Sequence, residues 1–139
     1  MTGPQAVPLA GLEPGTVEHR VAAADCVHRG GHDVLGTPSV VRLLEEAATV
    51  AIEPLLAPGQ TSVGSTVDIA HIRPTVLGQR VTATATVVEI DRRRIVTVVD
   101  VVDDVERIAH GRHERFVVDD EDFGARLARR TGRVTEVGG

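Results

Sequence analysis

The most regular pattern in the chain is an alternation of apolar and hydroxyl-bearing residues between positions 79 and 90. Every second residue from Val81 to Val87 is valine or alanine, and the residues between them are threonine. Because side chains of a β-strand point alternately to its two faces, this pattern predicts a strand with one buried face. Apolar runs bounded by turn residues predict four further strands. These cover residues 16–27, 62–73, 95–102 and 106–118.

A different period predicts one long helix over residues 37–55. Thr37 suits the N-cap position, and Pro38 suits the first helical position. A Pro-Gly pair at residues 58–59 follows the predicted end.

One face of this helix is apolar. At 100° per residue its stripe comprises Val41, Leu44, Ala48, Ala51 and Leu55. Glu45 lies at the border of the stripe, whereas Glu46 points to solvent. The two neighbouring carboxylates are therefore expected in different environments.

The order of elements is one strand, one long helix and four consecutive strands. Consecutive strands joined by short turns pair antiparallel, and an amphipathic helix buries its stripe against the sheet. We therefore predict an α+β fold, with one long central helix wrapped by a curved antiparallel sheet of about five strands. A glycine-rich loop is predicted over residues 28–36, and a short terminal helix over residues 120–130. The domain is expected to span residues 15–130, between a flexible arm (1–14) and a C-terminal tail (131–139).

Composition excludes several classes of protein. The chain has 139 residues, 42% of them hydrophobic, enough for one core without disulfides or metals. Its net charge is -5, whereas a nucleic-acid-binding protein carries a basic patch. One cysteine excludes an intramolecular disulfide, and neither a membrane-spanning run nor a signal peptide is evident. We expect a cytoplasmic protein without nucleic-acid or membrane partners.

Three polar residues are candidates for chemistry, each with a structural alternative. Glu45 at the stripe border is either a partly desolvated carboxylate suited to proton transfer or an ordinary surface residue. His71 shares a strand face with Val67 and Ile69, where an imidazole exchanges protons or bonds to the backbone as a core residue. The Thr37 hydroxyl either caps the helix or lies beside a developing oxyanion. The pattern alone favours the structural alternative at each position.

No metal or cofactor site is predicted. His28 and His32 are four residues apart, but they lie in the glycine-rich loop and not on a helix. His110 and His113 point to opposite faces of a strand. No nucleophile elbow, phosphate-binding loop or dinucleotide fingerprint is present.

The sequence HIRP at residues 71–74, followed by Gly78 and by VTA at residues 81–83, resembles the strand–turn–strand signature of hotdog thioesterases. More specifically, residues 16–130 resemble the bacterial fluoroacetyl-CoA thioesterase family. The resemblance implies a hotdog fold, an acyl-CoA substrate, and a homodimer with active sites at its interface.

The family also implies roles for particular residues. Its catalytic set is a Thr at the helix start, a Glu eight residues later and a His 26 residues after the Glu, and Thr37, Glu45 and His71 keep both spacings. The resemblance implies that Glu45, helped by Thr37, attacks the thioester carbonyl or activates water, while His71 positions groups and handles protons. It also implies that Gly64 contacts the substrate and that Arg115 binds the anionic portion of the coenzyme.

One departure concerns specificity. The fluoroacetyl-specific enzyme has a phenylalanine lid in the loop before the helix, whereas the matching positions here are His28 and Gly31, and the loop contains no aromatic residue. We therefore expect hydrolysis of a short-chain acyl thioester without fluoroacetyl specificity, and no cofactor, since CoA is part of the substrate. The carrier, CoA or acyl carrier protein, stays open. Two alternatives are a non-catalytic acyl-CoA-binding hotdog protein and a hotdog enoyl-CoA hydratase.

Overall fold

The computed structural model describes residues 7–138. The strands are β1 (Gly15–Arg20), β2 (Cys26–Arg29), β3 (His32–Leu35), β4 (Gln60–His71), β5 (Arg80–Asp91), β6 (Arg94–Asp103) and β7 (Arg107–Asp119). The helices are α1 (Thr37–Ile52) and α2 (Asp120–Gly138), and short 3₁₀ turns cover Ala23–Asp25 and Glu53–Leu55.

Five strands form one antiparallel sheet in the order β1-β5-β6-β7-β4. Strands β5, β6 and β7 follow one another through short turns, as their sequence pattern predicts. Strand β4 lies at the edge beside β7, and α1 packs across one face of the sheet. The predicted α+β layout of one helix and about five sheet strands is confirmed.

Helix α1 buries one face in the core. Its buried side chains are Val40, Leu43, Leu44, Ala47, Ala48, Ala51 and Ile52. The stripe is rotated slightly from the predicted one, so Val41 is half-buried at its edge, beside Glu45. The backbones of β1 and α1 touch at Gly15, where a Cβ atom would lie 2.2 Å from the Ala47 carbonyl oxygen. A side chain at this position would force the helix away from the sheet.

The segment before α1 differs from the prediction. The predicted first strand ends at Arg20 and gives way to a 3₁₀ turn. Strands β2 and β3 then form a separate hairpin where a loop was expected. Gly30 and Gly31 close this hairpin with φ angles of 58° and 78°. Two successive positive φ angles suit a tight hairpin turn, so these glycines turn the chain rather than loosen it.

The helix ends also differ from the prediction. The predicted N-cap at Thr37 is wrong, because Gly36 has extended angles (φ -77°, ψ 150°) and accepts the Val40 N–H at 3.2 Å. Helix α1 gives way at Ile52 to the 3₁₀ turn that reaches the predicted end. Helix α2 runs to Gly138, eight residues further than predicted and through most of the segment assigned to a tail.

The predicted arm falls partly outside the described residues. Within residues 7–14, the Leu9 N–H donates to the Val87 carbonyl at 3.1 Å, and Leu12 packs against the core. This part of the arm is therefore attached to the domain. The division of the chain at residues 15 and 130 stays a prediction.

Strand β4 contains a bulge that decides which side chains face the helix. Its register against β7 shifts between Gly64 and Thr66. The extra residue, Ser65, reverses the alternation on one side of the bulge. Gly64 therefore faces the helix, on the same side as Ile69 and His71.

Candidate active site

Thr37 and His71 form the first polar pair of the site. Thr37 Oγ1 lies 2.8 Å from His71 Nδ1, which places His71 on the helix-facing side of its strand. Because Gly36 takes the N-cap position, the Thr37 hydroxyl makes no capping bond and pairs with the imidazole instead. Either group can donate, depending on which ring nitrogen carries the proton.

The second ring nitrogen of His71 lacks a partner. Across residues 7–138, Nε2 finds no hydrogen-bond acceptor or donor, although it is shielded from solvent. Burial lowers the pKa of His71, and the nearby Arg73 backbone opposes this effect. The imidazole is therefore neutral at neutral pH and able to accept a proton.

Glu45 belongs to a second polar cluster. Its Oε2 atom lies 3.4 Å from Nη1 of Arg115. Arg115 is 7% exposed, whereas the Glu45 side chain is 40% exposed. Burial lowers the pKa of Arg115 and the Glu45 carboxylate opposes this, so the guanidinium keeps its charge at neutral pH. The cation is held inside the protein, and the carboxylate reaches an open groove.

The guanidinium of Arg115 has further partners inside the protein. Its Nε and Nη2 atoms donate to the hydroxyl and the carbonyl of Ser62, at 2.9 and 3.0 Å. Its Nη1 atom lies 3.2 Å from Nε2 of His113. A buried charge is tolerated only when its donors are satisfied, so these contacts hold Arg115 in one orientation.

Gly64 lies directly against this cluster. A Cβ atom at this position would be 2.9 Å from Glu45 Oε2, and 3.4 Å from both Arg115 Nη1 and the Cε1 atom of His113. The bulge and the missing side chain together leave room for the carboxylate. Gly64 therefore lies beside a catalytic candidate, and its contact with the substrate stays a prediction.

Each cluster borders a recess. A groove of about 310 Å³ is lined by residues that include Pro38, Val41, Glu45, Thr49 and Arg115. A second recess of about 230 Å³ is lined by residues that include Val34, His71 and Pro74. Eight residues along a helix correspond to about 12 Å, so one chain does not bring Glu45 to the Thr37–His71 pair.

Two members of the second cluster were not predicted from the sequence. Ser62 and His113 both contact Arg115. His113 lies two residues before Arg115 on the same strand, so strand alternation places both on one face. That spacing was a usable signal. Ser62 offered none, because the bulge between it and His71 changes the alternation.

The described residues also bear on metals and membranes. No group of three or more His, Cys, Asp or Glu side chains within residues 7–138 is arranged to hold a metal ion. No helix in the same part of the chain has the length and apolarity needed to cross a bilayer.

Comparison with known proteins identifies the family of the chain and agrees with its fold. The family model of the fluoroacetyl-CoA-specific thioesterase matches residues 17–121. The chain belongs to this family. A curated fluoroacetyl-CoA thioesterase from Streptantibioticus cattleyicolor is 35% identical over 99 residues, which is 71% of each chain.

Solved structures support the assignment of this chain to the fluoroacetyl-CoA-specific thioesterase family. A structure of the fluoroacetyl-CoA thioesterase FlK superposes with a TM-score of 0.79 at 29% identity, covering 88% of this chain and 98% of that chain. A thioesterase superfamily member from Thermus thermophilus superposes with a TM-score of 0.85 at 23% identity, covering 93% and 98%. The predicted hotdog fold is confirmed, and the family is one of thioester hydrolases.

Proposed function

We propose that this protein hydrolyses a short-chain acyl-CoA thioester to the free acid and CoA. The observation that carries the proposal is the 2.8 Å hydrogen bond between Thr37 and His71, which joins two members of the family's catalytic set from separate elements. Glu45, the third member, borders an open groove. Family membership supports the same activity.

The reaction breaks the C–S bond of the thioester and forms a C–O bond. In one version Glu45 takes a proton from water, and the hydroxide attacks the carbonyl carbon. In the other version the Glu45 carboxylate attacks the carbon, and water then hydrolyses the anhydride. In the first version the neutral His71, paired with Thr37, accepts that proton from Glu45 and delivers it to the departing thiolate. In the second version the thiolate leaves as the anhydride forms, and His71 then takes a proton from the water that attacks the anhydride and passes it to the thiolate, while the Glu45 carboxylate is restored. The Gly64 backbone N–H is proposed to stabilise the carbonyl oxygen as it gains charge.

Arg115 is proposed to act at the thioester end of the ligand. Its 7% exposure and its bonds to Ser62 and Glu45 favour this location over contact with the solvent-exposed phosphates of the coenzyme. There it orients the Glu45 carboxylate and supplies a fixed positive charge.

We propose that the enzyme is not specific for fluoroacetyl-CoA. The two positions that match the family's phenylalanine lid are His28 and Gly31, on the exposed β2–β3 hairpin. His28 Nδ1 lies 2.9 Å from the carboxylate of Asp33, so this hairpin presents a polar pair instead of an apolar lid. Without an aromatic side chain here, fluorine is not expected to be distinguished from hydrogen.

The working form is proposed to be a homodimer joined along β4. This strand is twelve residues long, and in the described chain no strand covers its outer edge. Such an edge is a ready template for pairing with a second copy. Val67, on the helix-facing side of this edge, is 38% exposed.

Pairing of two β4 strands completes the catalytic set. With its two-fold axis at Asp68 and Ser65 as the extra residue of the bulge, an antiparallel arrangement sets Gly64 opposite His71 of the partner subunit. Directly opposed residues point to the same face, so Glu45, which contacts Gly64, then faces the partner's Thr37–His71 pair. Each dimer thus contains two composite sites.

A mixing experiment tests the composite site. Glu45→Gln and His71→Ala are each expected to abolish most thiol release as homodimers. Co-expression of the two variants produces mixed dimers with one intact site, and we expect recovery of roughly a quarter of the wild-type rate. No recovery, with mixed dimers confirmed by mass, would contradict a site shared between subunits.

A substrate panel tests the activity itself. Wild-type protein is incubated with acetyl-, propionyl-, butyryl- and fluoroacetyl-CoA, and with acyl carrier protein thioesters, while free thiol is measured. Saturable binding of acyl-CoA without thiol release would favour the non-catalytic alternative, and water addition to crotonyl-CoA would favour the hydratase. Fluoroacetyl-CoA turning over at least a hundred times faster than acetyl-CoA would contradict the proposed specificity.

The reaction is proposed to need neither metal nor cofactor, since Glu45 and His71 supply its acid–base chemistry. Dialysis against EDTA is expected to leave thiol release unchanged. A cytoplasmic location is proposed from the single cysteine and the acidic composition.

A further inference from the structure

His113 is a fully buried histidine that the reaction above does not use. It lies on β7 with 0% exposure, opposite Val67 of the edge strand. Burying a titratable ring is costly unless both nitrogens have suitable partners. The hydrogen-bond partners of the two ring nitrogens therefore explain how the ring is tolerated in the core.

The two partners of His113 determine its protonation state. Nδ1 lies 2.9 Å from the Thr66 carbonyl, which can only accept a hydrogen bond, so Nδ1 carries the proton. Nε2 lies 3.2 Å from Arg115 Nη1, which can only donate, so Nε2 presents its lone pair. The ring is therefore a neutral Nδ1–H tautomer. Burial, chiefly, and the charge of Arg115 lower the pKa of His113, against the opposing effect of the Thr66 carbonyl.

The same contact completes the acceptor set of Arg115. Two of its nitrogens donate to Ser62, and Nη1 carries two hydrogens, one directed to His113 and one to Glu45 at 3.4 Å. The Glu45 contact is long and its side chain is half-exposed, so this ion pair alone fixes the guanidinium weakly. By accepting one hydrogen of Arg115 Nη1, the His113 ring fixes the orientation of the guanidinium plane. In that orientation the second hydrogen of Nη1 points to Glu45.

We propose that His113 is a positioning residue for thioester hydrolysis. Its ring, bonded to the Thr66 carbonyl at the bulge of β4, holds the Arg115 guanidinium in place. The guanidinium in turn directs the Glu45 carboxylate toward the substrate. The inference rests on the proposed function. His113 touches neither substrate nor reacting atoms and acts only through Arg115.

Two matched variants each keep one of the two hydrogen bonds made by the His113 ring and remove the other. In His113→Asn the side-chain amide replaces Nδ1 and keeps the donor toward Thr66, but the acceptor for Arg115 is lost. In His113→Gln the amide oxygen reaches the position of Nε2 and keeps the acceptor for Arg115. We expect His113→Asn to lower kcat about 10-fold or more with KM nearly unchanged, because a misdirected carboxylate slows chemistry rather than binding. His113→Gln is expected to retain most of the wild-type kcat.

A double-variant cycle tests whether the effect passes through Arg115. In an Arg115→Met background, His113→Asn is expected to cause no further loss of kcat. Equal losses in both His113 variants, or a full additional loss in the Arg115→Met background, would overturn the proposal. Absence of thiol release from the wild type would instead count against the proposed function.

Nitrogen-15 NMR of labelled histidine gives a readout independent of turnover. The groups with charge around the ring are Arg115, Glu45 and Glu114. We expect one histidine, identified by its absence in His113→Gln, to show the neutral Nδ1–H signature at pH 8 and to keep it as pH falls to the ordinary histidine value of about 6.5. An Nε2–H signature at pH 8, or protonation above about pH 6.5, would overturn the assignment.

Discussion

The two polar clusters of the site are built in opposite ways. The Thr37–His71 pair depends on one hydrogen bond and leaves the buried Nε2 atom without a partner among the described residues. The Glu45–Arg115 cluster is a network whose buried members satisfy one another through Ser62 and His113. A buried atom without a partner costs free energy and is poised for a ligand, whereas a satisfied network keeps one geometry. The first cluster is thus suited to exchanging protons, and the second to aiming one carboxylate.

The comparison also explains why a single chain is insufficient. Each cluster borders its own recess, and about two helical turns separate them. Under the proposed pairing of β4 strands, the proton-exchanging cluster of one subunit meets the carboxylate of the other. Variants in either cluster should therefore impair the same reaction, with effects that differ in size and in kind.

The largest effect is expected at Glu45. Replacing it with glutamine keeps its size but removes the nucleophile or base, and should lower kcat by about 10²–10⁴-fold. Thiol release and circular dichroism are measured together. Glu53→Gln, an exposed carboxylate at the end of the same helix, is the control and should match wild type. Retention of more than half of the wild-type kcat in Glu45→Gln would place the essential carboxylate elsewhere.

A smaller loss is expected when the carboxylate is only displaced. In Gly64→Ala the added Cβ would lie 2.9 Å from Glu45 Oε2, so the flexible end of the glutamate must move. We expect kcat to fall about 10-fold or more while the fold is retained. Gly124→Ala is a matched control, because nothing lies within 4 Å of its added Cβ. Equal activity in the two variants would show that the position of Oε2 does not matter.

The Thr37 hydroxyl should affect rate without affecting stability. Thr37→Val keeps the shape but loses the bond to His71, and a single bond of about 1.4 kcal/mol corresponds to about 10-fold in kcat. Because Gly36 is the N-cap, the free energy of unfolding should change by less than about 0.5 kcal/mol, against about 1 kcal/mol for a lost cap. Thr37→Ser should retain activity. Urea titration measures the free energy of unfolding, and thiol release measures kcat. A Thr37→Val variant that is destabilised but fully active would show that Thr37 caps the helix and does not serve the reaction.

The smallest effect is expected in the pH dependence of thermal stability. The pKa values of His71 and His113 are lowered in the folded protein, so the unfolded chain binds more protons between the folded values and about 6.5. Their contribution to stability is complete above about pH 6.5 and is lost as pH falls through the lowered values. We expect Tm to decrease between pH 7.5 and pH 5, and the decrease to be smaller in His113→Gln. A Tm that rises on acidification would contradict both shifts.

The sequence by itself determined the features that depend on local periodicity. Alternation at residues 79–90 and the apolar stripe of α1 predicted the main elements and placed Glu45 at the border of the core. The spacing of Thr37, Glu45 and His71 identified the candidate set only through the resemblance to the family, because the pattern alone favoured the structural alternative at each position.

Other features were decided only by the tertiary structure. The bulge at Ser65 turns Gly64 toward the helix, and it depends on the register of β4 against β7. The cap at Gly36 frees Thr37 for His71 only because β4 ends beside the helix start. The network around Arg115 joins residues as far as 70 positions apart. Such contacts depend on which non-consecutive strands pair, here β4 with β7, and on how their registers align, and a local pattern carries no information about either.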